Sequence, residues 1–155
     1  MLGGAISRFQ RWQYRGGRAG WSARISNRLS AIAFAAGIGP RQAATLEVRG
    51  HKTGRTISLP VVVADYRGNR YLVGMLGPKT AWVRNVRADP QAVLLHRKKR
   101  EAVSLVEDRS DNRAAILRRY LELAPGGRPF FPVDRRAPLS DFEPIVDDYP
   151  VFRIC

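Results

Sequence analysis

Two strand-like segments flank a basic stretch at residues 50–60, and this pairing limits the folds open to the chain more than any other feature. Before the stretch, apolar and polar residues alternate from 44 to 49, and after it residues 59–64 are almost wholly apolar. Alternation and short apolar runs bounded by glycine are typical of strands joined in a β-hairpin. We therefore predict strands over residues 44–50 and 56–65, with the sequence GHKTGRTISLP around the turn.

The turn between these strands has the composition of an anion site. Gly50 and Gly54 let the backbone bend sharply and expose its N–H groups. Lys52 and Arg55 add positive charge, and His51 is a third candidate. Backbone donors and cations on one turn suit an anionic group. From these residues alone, a solvated hairpin tip with ordinary surface charges is an equally good interpretation.

The rest of the chain continues in short segments separated by turn residues. Consecutive strands joined by tight turns favour an antiparallel sheet, and a helix after the third strand suits a small barrel with peripheral helices. A Rossmann fold is disfavoured because no GxGxxG follows a strand and helices do not alternate regularly with strands. We predict a mainly β fold with flanking helices (α+β) and six short strands. The further strands are predicted at residues 70–75, 91–96, 101–107 and 150–154, and helices at 22–36, at 81–87 and from Ser110 or Asp111 to Leu123, followed by a loop at 125–138 and one or two helical turns at 139–146.

A second stretch of interest, residues 77–85, has the sequence GPKTAWVRN and predicts a short helix capped by Thr80. The N-terminus of such a helix presents free N–H groups and the positive end of its dipole to an anion. Trp82 and Asn85 are three residues apart and share a helix face. A planar ligand could lie against Trp82 while Asn85 makes a polar contact. Ordinary packing of the helix is the alternative.

Charge distinguishes this chain of 155 residues from an average globular domain. The length predicts one domain, and a hydrophobic fraction of 45% allows a substantial core. The formal net charge of +14 favours a polyanionic partner such as nucleic acid, an anionic membrane or a phosphorylated ligand. A short basic run at residues 97–100 is predicted to be a solvated hairpin turn.

Residues 1–21 combine four arginines with aromatic residues and contain no acidic residue. Cations beside interfacial aromatics suit contact with an anionic membrane, at about 1 kcal/mol per basic residue near the surface. The alternative is a mobile or self-packing arm, because Gly16, Gly17 and Gly20 interrupt any long helix. We predict a basic N-terminal arm over residues 1–21 and a single domain over residues 22–155.

Cysteine and histidine are too sparse for a disulfide framework or a metal site. Cys155 is the single cysteine, and His51 and His96 lie far apart without ligand-like spacing. No apolar run reaches the ~18 residues of a membrane span, and no signal peptide is evident. We expect no metal and a cytoplasmic location, with association at the inner face of the membrane where the arm binds lipid.

Motifs of covalent or acid–base catalysis are missing from the sequence. The chain has no nucleophile elbow, no Walker loop and no defensible Ser/His/Asp set. Two acidic pairs, at 108/111 and 147/148, stand at helix starts and in loops, where capping and solvation explain them. The sequence therefore indicates no catalytic residue.

Taken together, the two stretches and their spacing resemble a known family. The motifs occur in the order GxKTGR, PVVV, RYLVG and WVRNVRADP, with FFPVD and PVFR towards the C-terminus. This order resembles the deazaflavin-dependent nitroreductase family, the coenzyme F420-linked quinone and nitro reductases. The resemblance runs from about residue 27 to the C-terminus. It implies a split β-barrel of the flavin-reductase and pyridoxamine-phosphate-oxidase type, and coenzyme F420 as the cofactor.

The resemblance also implies which residues meet the cofactor. The anionic tail of F420 would lie on the basic hairpin, and residues 57–62 would run beside the cofactor. Residues 74–77 would border the deazaflavin ring, and residues 81–85 would close the pocket. Cations on the basic hairpin would strengthen binding of the anionic tail, because a charge-assisted hydrogen bond contributes about 1.5–3 kcal/mol. The residues implied to bind the cofactor are His51, Lys52, Thr53, Gly54, Arg55, Ser58, Leu59, Pro60, Val61, Val62, Gly74, Met75, Leu76, Gly77, Ala81, Trp82, Val83, Arg84 and Asn85.

Some positions depart from the family pattern. Ile57 stands where many members carry an arginine, although Arg55 is close enough to substitute. Valines and phenylalanines stand where nitro-activating members have tyrosines, which argues against activation of nitro prodrugs. Ser58 and Tyr66 are the two open candidates for a proton donor.

We therefore predict an F420-dependent oxidoreductase that transfers a hydride between the reduced deazaflavin and a small quinone, nitro or enone-type acceptor. One alternative is a non-catalytic protein of the same fold that binds F420, FMN or haem. The other is a basic nucleic-acid-binding module, which is less favoured because no recognition helix or RNA-binding aromatic motif is visible. A monomer and a homodimer both suit the sequence.

Overall fold

The computed structural model describes residues 41–155, so the predicted arm and the helix predicted at 22–36 lie outside the described residues. The described part contains a seven-stranded antiparallel sheet with helices packed beside it. No helix in residues 41–155 is long and apolar enough to cross a bilayer. The elements in chain order are β1 (Ala43–Arg49), β2 (Thr56–Val62), β3 (Ala64–Tyr66), β4 (Asn69–Val73), α1 (Ala81–Ala88), β5 (Gln91–His96), β6 (Lys99–Asp108), α2 (Arg113–Leu123), a 3-10 helix at Pro125–Phe130, α3 (Leu139–Phe142), a 3-10 helix at Glu143–Asp148 and β7 (Val151–Ile154).

The order of the strands forces the sheet to curl. Neighbouring strands follow the order β2-β1-β5-β6-β7-β4-β3, so β2 and β3 form opposite edges. Val63 alone separates these two strands in the chain. In a flat sheet the two edges would lie about 29 Å apart at about 4.8 Å per strand spacing, which one residue cannot span. The sheet therefore curls into a half-barrel, and the predicted mainly β barrel fold is confirmed.

The strand predicted over residues 56–65 is split into β2 and β3, which raises the strand number from six to seven. At the break, the N–H of Val63 donates to the carbonyl of Gln42 at 2.8 Å. The apolar pattern of this segment runs through the break without interruption, because both halves bury side chains. Periodicity along the chain therefore could not show that the segment changes its pairing partner.

The helices α1, α2 and α3 match predicted ones in position, but the 3-10 helix at Pro125–Phe130 lies where a loop was predicted. The N-terminus of α2 also differs in detail. α2 begins at Arg113, later than a cap at Ser110 or Asp111 would place it. Ser110 instead closes a local turn, in which its N–H and hydroxyl both donate to Asp108 Oδ1, at 2.8 and 2.6 Å. The predicted cap at residue 110 or 111 was therefore wrong, because the serine has a nearer acceptor.

Two apolar clusters hold the described part together, one on each face of the sheet. The first fills the curled sheet and includes Leu46, Leu72 and Phe152, together with Val83 and Val86 from α1. The second lies between the sheet and α2 and α3. Neighbouring residues of one strand divide between the clusters, as the two-residue period of a strand requires.

We predict that Phe152→Ala lowers the free energy of unfolding by about 3–5 kcal/mol, because it empties a large volume in the first cluster. Phe152 is 1% exposed, and its ring lies 5.5 Å from the ring of Trp82. Urea denaturation measures the change. The exposed neighbour supplies the control, since Arg153→Ala should change stability by no more than about 0.5 kcal/mol. Equal effects of the two substitutions would contradict this account of the core.

Candidate functional site

The loop between β1 and β2 is compact and carries exposed cations. The N–H of Gly50 donates to the carbonyl of Arg55, and the N–H of Gly54 donates to the carbonyl of Gly50, both at 2.8 Å. Gly54 has a φ of 71°, in the left-handed region that favours glycine. Within residues 41–155, neither Lys52 nor Arg55 has an ion pair with a carboxylate. Their charge is therefore available to an anion.

The buried side-chain amide of Asn85 joins this loop to α1. The N–H of His51 donates to Asn85 Oδ1 at 3.0 Å, and His51 Nδ1 makes a second, short hydrogen bond to the same oxygen. Because the backbone N–H can only donate, the shared Asn85 atom must be the oxygen, and Nδ1 must then carry a proton. Asn85 is 3% exposed. The two stretches singled out in the sequence thus meet at this contact.

The position of α1 is set at both ends. Before the helix, Gly77 has a φ of 97°, and the hydroxyl of Thr80 donates to its carbonyl at 2.7 Å. Thr80 therefore occupies the predicted cap position, but its hydroxyl does not bond to an N–H of the helix. At the other end, Arg87 Nε and Nη2 donate to the two carboxylate oxygens of Glu107, each at 2.9 Å. This hydrogen-bonded pair lowers the pKa of the Glu107 carboxyl.

An apolar cleft of about 120 Å³ lies on the side of α1 that carries Trp82. One wall comes from β2 and another from the end of β4 and the turn that follows it. The half-buried indole of Trp82 closes the cleft from α1 and packs against Phe152. The residues that line it are Leu59, Pro60, Val61, Val62, Val73, Met75, Leu76, Thr80, Trp82 and Tyr120.

Tyr120 is the one tyrosine in the wall of this cleft, and the sequence did not indicate it. Its hydroxyl donates to Met75 Sδ at 3.3 Å. Burial raises the pKa of the Tyr120 phenol, so the group is protonated at neutral pH. Helical spacing along the sequence places Tyr120 beside the apolar residues of α2 and indicates no more than packing. Only the packing of α2 against the turn after β4 brings the hydroxyl to the cleft.

The chain is similar to known proteins in both sequence and structure. A model of the family described as F420H2-dependent quinone reductase matches residues 27–130, which is more than half of the chain. The chain belongs to this family. A search of curated proteins finds no match.

Several solved structures share the fold of this chain. One described as a domain-swapped dimer aligns with a TM-score of 0.54 and 18% identity, over 87% of this chain and 97% of that chain. A structure of an F420-H2 dependent reductase aligns with a TM-score of 0.50 and 20% identity, over 76% and 96% of the two chains. A protein of unknown function from Agrobacterium tumefaciens aligns at 0.54 and 12% identity, over 82% and 53%. Together they show the fold.

The residues implied by the family resemblance fall into three groups. Seven of them line the cleft: Leu59, Pro60, Val61, Val62, Met75, Leu76 and Trp82. The exposed group comprises the loop residues His51, Lys52, Thr53, Gly54 and Arg55 together with Ser58 and Arg84. The remainder form or flank the turn and helix, where Gly74, Gly77, Val83 and Asn85 are buried and Ala81 is half-buried.

Neither candidate proton donor lines this cleft. Ser58 is exposed on β2. The ring of Tyr66 lies 5.2 Å below the guanidinium carbon of Arg67, at the turn between β3 and β4. Residues 41–155 contain no group of three His, Cys, Asp or Glu side chains placed to hold a metal ion.

We predict that Asn85→Ala releases the basic loop. The substitution removes the acceptor of two donors of His51, which is exposed and can bond to water instead. The loop then loses its link to α1, at about 0.5–1.5 kcal/mol per hydrogen bond. Trypsin, which cleaves after lysine and arginine, should then cut faster at Lys52 and Arg55. Arg84→Ala, a change at the exposed neighbour on α1, is the control and should leave both cleavage rates unchanged. Unaltered cleavage in Asn85→Ala would contradict the role of this amide.

We also predict that Gly127→Ala displaces Tyr120. A Cβ at Gly127 would lie 2.7 Å from the Tyr120 hydroxyl oxygen and 3.1 Å from two ring carbons, all in a buried side chain. The ring must shift, which should lower the melting temperature and change the near-ultraviolet circular dichroism of the tyrosines. Gly126→Ala supplies the control, because a Cβ there meets nothing within 4 Å. Equal spectra and melting temperatures for the two variants would show that Tyr120 is not held as described.

Proposed function

We propose that the protein is an F420-dependent oxidoreductase that transfers a hydride between reduced deazaflavin and a quinone, nitro or enone-type acceptor. The observation that carries the proposal is the pair of hydrogen bonds from His51 to Asn85. They hold an exposed cationic loop at the same short helix whose Trp82 closes an apolar cleft. Family membership supplies the cofactor class.

The residues present fit a cofactor with a planar ring and an anionic tail. The cleft walls are almost all apolar, as sites for planar ligands generally are. The loop offers Lys52 and Arg55 without competing carboxylates among residues 41–155. Asn85 and Trp82 are separated by about 4.5 Å of helix rise. One ligand could therefore reach both regions along α1.

In this proposal the chain positions reactants and excludes water. When bound, reduced F420 supplies the hydride. The aliphatic side chains of β2, with Leu76 and Trp82, keep water from the reacting face, and their fixed placement reduces the entropy lost in bringing the reactants together. Lys52 and Arg55 hold the anionic tail. Tyr120 keeps a protonated phenol at the cleft wall, restrained by its hydrogen bond to Met75.

The class of electron acceptor is proposed from the chemistry of the cleft. An apolar cleft favours a flat, weakly polar acceptor, and the family description names quinones. The positions at which nitro-activating relatives carry tyrosine argue against nitro prodrugs as substrates. We therefore expect quinones to be reduced faster than nitroaromatic compounds when both are offered at equal concentration.

Fluorescence titration with F420 tests cofactor binding directly. Wild-type protein should bind, and Lys52→Ala should raise the dissociation constant about 10-fold or more, since one charge-assisted hydrogen bond contributes about 1.5–3 kcal/mol. Lys99→Ala is the matched control, because it removes the same charge from the opposite end of the sheet. Its dissociation constant should equal that of the wild type. Absence of wild-type binding at tens of micromolar F420 would overturn the proposal.

Turnover separates the enzyme from a non-catalytic binder. Oxidation of reduced F420 in the presence of quinones, nitroaromatics or unsaturated ketones supports the proposed activity. Tight binding without oxidation of any of these acceptors would favour a carrier instead.

The oligomeric state is proposed as monomer or homodimer, and light scattering distinguishes the two. A solved structure of the same fold is described as a domain-swapped dimer, which supports the second choice.

A further inference from the structure

The end of the sheet opposite the proposed cofactor loop carries two unusual turns. β3 and β4 are joined by Arg67 and Gly68, and β5 and β6 by Arg97 and Lys98. Because β1 and β5 are antiparallel, and β4 and β6 run in the same direction, both turns lie at the end where β1 begins. The loop at residues 50–55 lies at the other end.

The turn between β5 and β6 is strained by its own side chains. Arg97 and Lys98 have φ angles of 53° and 67°, so both adopt the left-handed region. A two-residue hairpin turn of this kind strongly favours Asn-Gly, and a residue with a Cβ there costs about 1–2 kcal/mol. Arg67, with a φ of 48°, is the third non-glycine residue of this kind in residues 41–155. All three are cations at the tips of turns, where strain of this sort often marks a functional need.

These cations are exposed, and the nearby carboxylates are already paired. Arg67, Arg97, Lys98 and Lys99 are all exposed, and within residues 41–155 none forms an ion pair with a carboxylate. The acidic side chains of this end have other partners. Glu101 pairs with Arg70 at 2.7 Å, Glu47 with Arg100 at 2.8 Å and Asp65 with Arg119 at 3.0 Å. The turns therefore present net positive charge without local compensation.

The preceding part of the chain joins the barrel at the same place. His96 Nε2 donates to the carbonyl of Arg41 at 2.5 Å, which ties the first described residue to the strand that leads into the Arg97–Lys98 turn. Residues 1–40 contain six arginines and no acidic residue, with aromatic residues among them. Tryptophan and tyrosine beside arginine are typical of the interface between lipid and water rather than of a nucleic-acid site.

We propose that this end of the barrel, formed by Arg67 and residues 97–99 beside the point where residues 1–40 join, docks on an anionic lipid bilayer. Each basic residue near such a surface contributes about 1 kcal/mol, so the four exposed cations bind measurably only as a group. The docking face lies at the opposite end of the strands from the cofactor loop. The proposal does not depend on F420 chemistry, and either can fail alone.

Sedimentation of the full chain with vesicles tests the docking face. Binding should be strong to vesicles of phosphatidylcholine mixed with phosphatidylglycerol, weak to phosphatidylcholine alone, and reduced by added salt. The double substitution Arg97→Asn/Lys98→Gly should reduce the partition coefficient for anionic vesicles about 30-fold, equivalent to about 2 kcal/mol at about 1 kcal/mol per residue. The same variant should have a higher melting temperature, because Asn-Gly suits the turn.

A higher melting temperature together with weaker vesicle binding in Arg97→Asn/Lys98→Gly would show that the two cations serve docking and not the stability of the fold. Lys52→Ser/Arg55→Ser is the matched control, since it removes two charges from the opposite end, and it should bind vesicles as the wild type does. Equal wild-type binding to neutral and anionic vesicles would overturn the proposal, as would vesicle binding by Arg97→Asn/Lys98→Gly at the wild-type level. Retention of duplex DNA at physiological salt, lost in that variant while vesicle binding is kept, would assign the face to nucleic acid instead.

Discussion

The structure depends on one covalent constraint, which is the single residue between β2 and β3. Strands at opposite edges of a seven-stranded sheet are joined through Val63, and the sheet can satisfy this connection only by curling. Curling encloses the first apolar cluster and leaves the other face of the sheet to α2 and α3. The two cores are thus consequences of one short connection.

The same constraint produces the cleft. Once the sheet curls, the second half of β2 approaches the end of β4 and the turn that follows, although the two strands share no hydrogen-bonded ladder. The gap between them is closed by Trp82 from one side and Tyr120 from the other. A local rearrangement at Val63 would therefore reach the site as well as the core.

Charge is distributed along the barrel rather than around one centre. One end carries the loop with Lys52 and Arg55, and the other carries the strained turn at Arg97 and Lys98. Six of the thirteen carboxylate side chains in residues 41–155 pair with arginines, as Glu107 does with Arg87. Cations without a carboxylate partner among residues 41–155 occur at both ends of the strands, and also beside α2 at Arg118, Arg135 and Arg136. Such a distribution allows two anionic partners to be bound without competition.

The sequence by itself determined most of the strands, the short helix predicted at 81–87 and the two stretches that carry the site, because alternation, glycine turns and helical spacing are local properties. It also indicated the family through the order of its motifs. Only the tertiary structure decided that residues 56–66 form two strands, that Tyr120 belongs to the cleft and that the hydroxyl of Thr80 donates to Gly77 instead of accepting from an N–H of its helix. It likewise decided that His51 meets Asn85 across 34 residues of chain. These features depend on which distant groups meet when the sheet closes, and no local pattern records that.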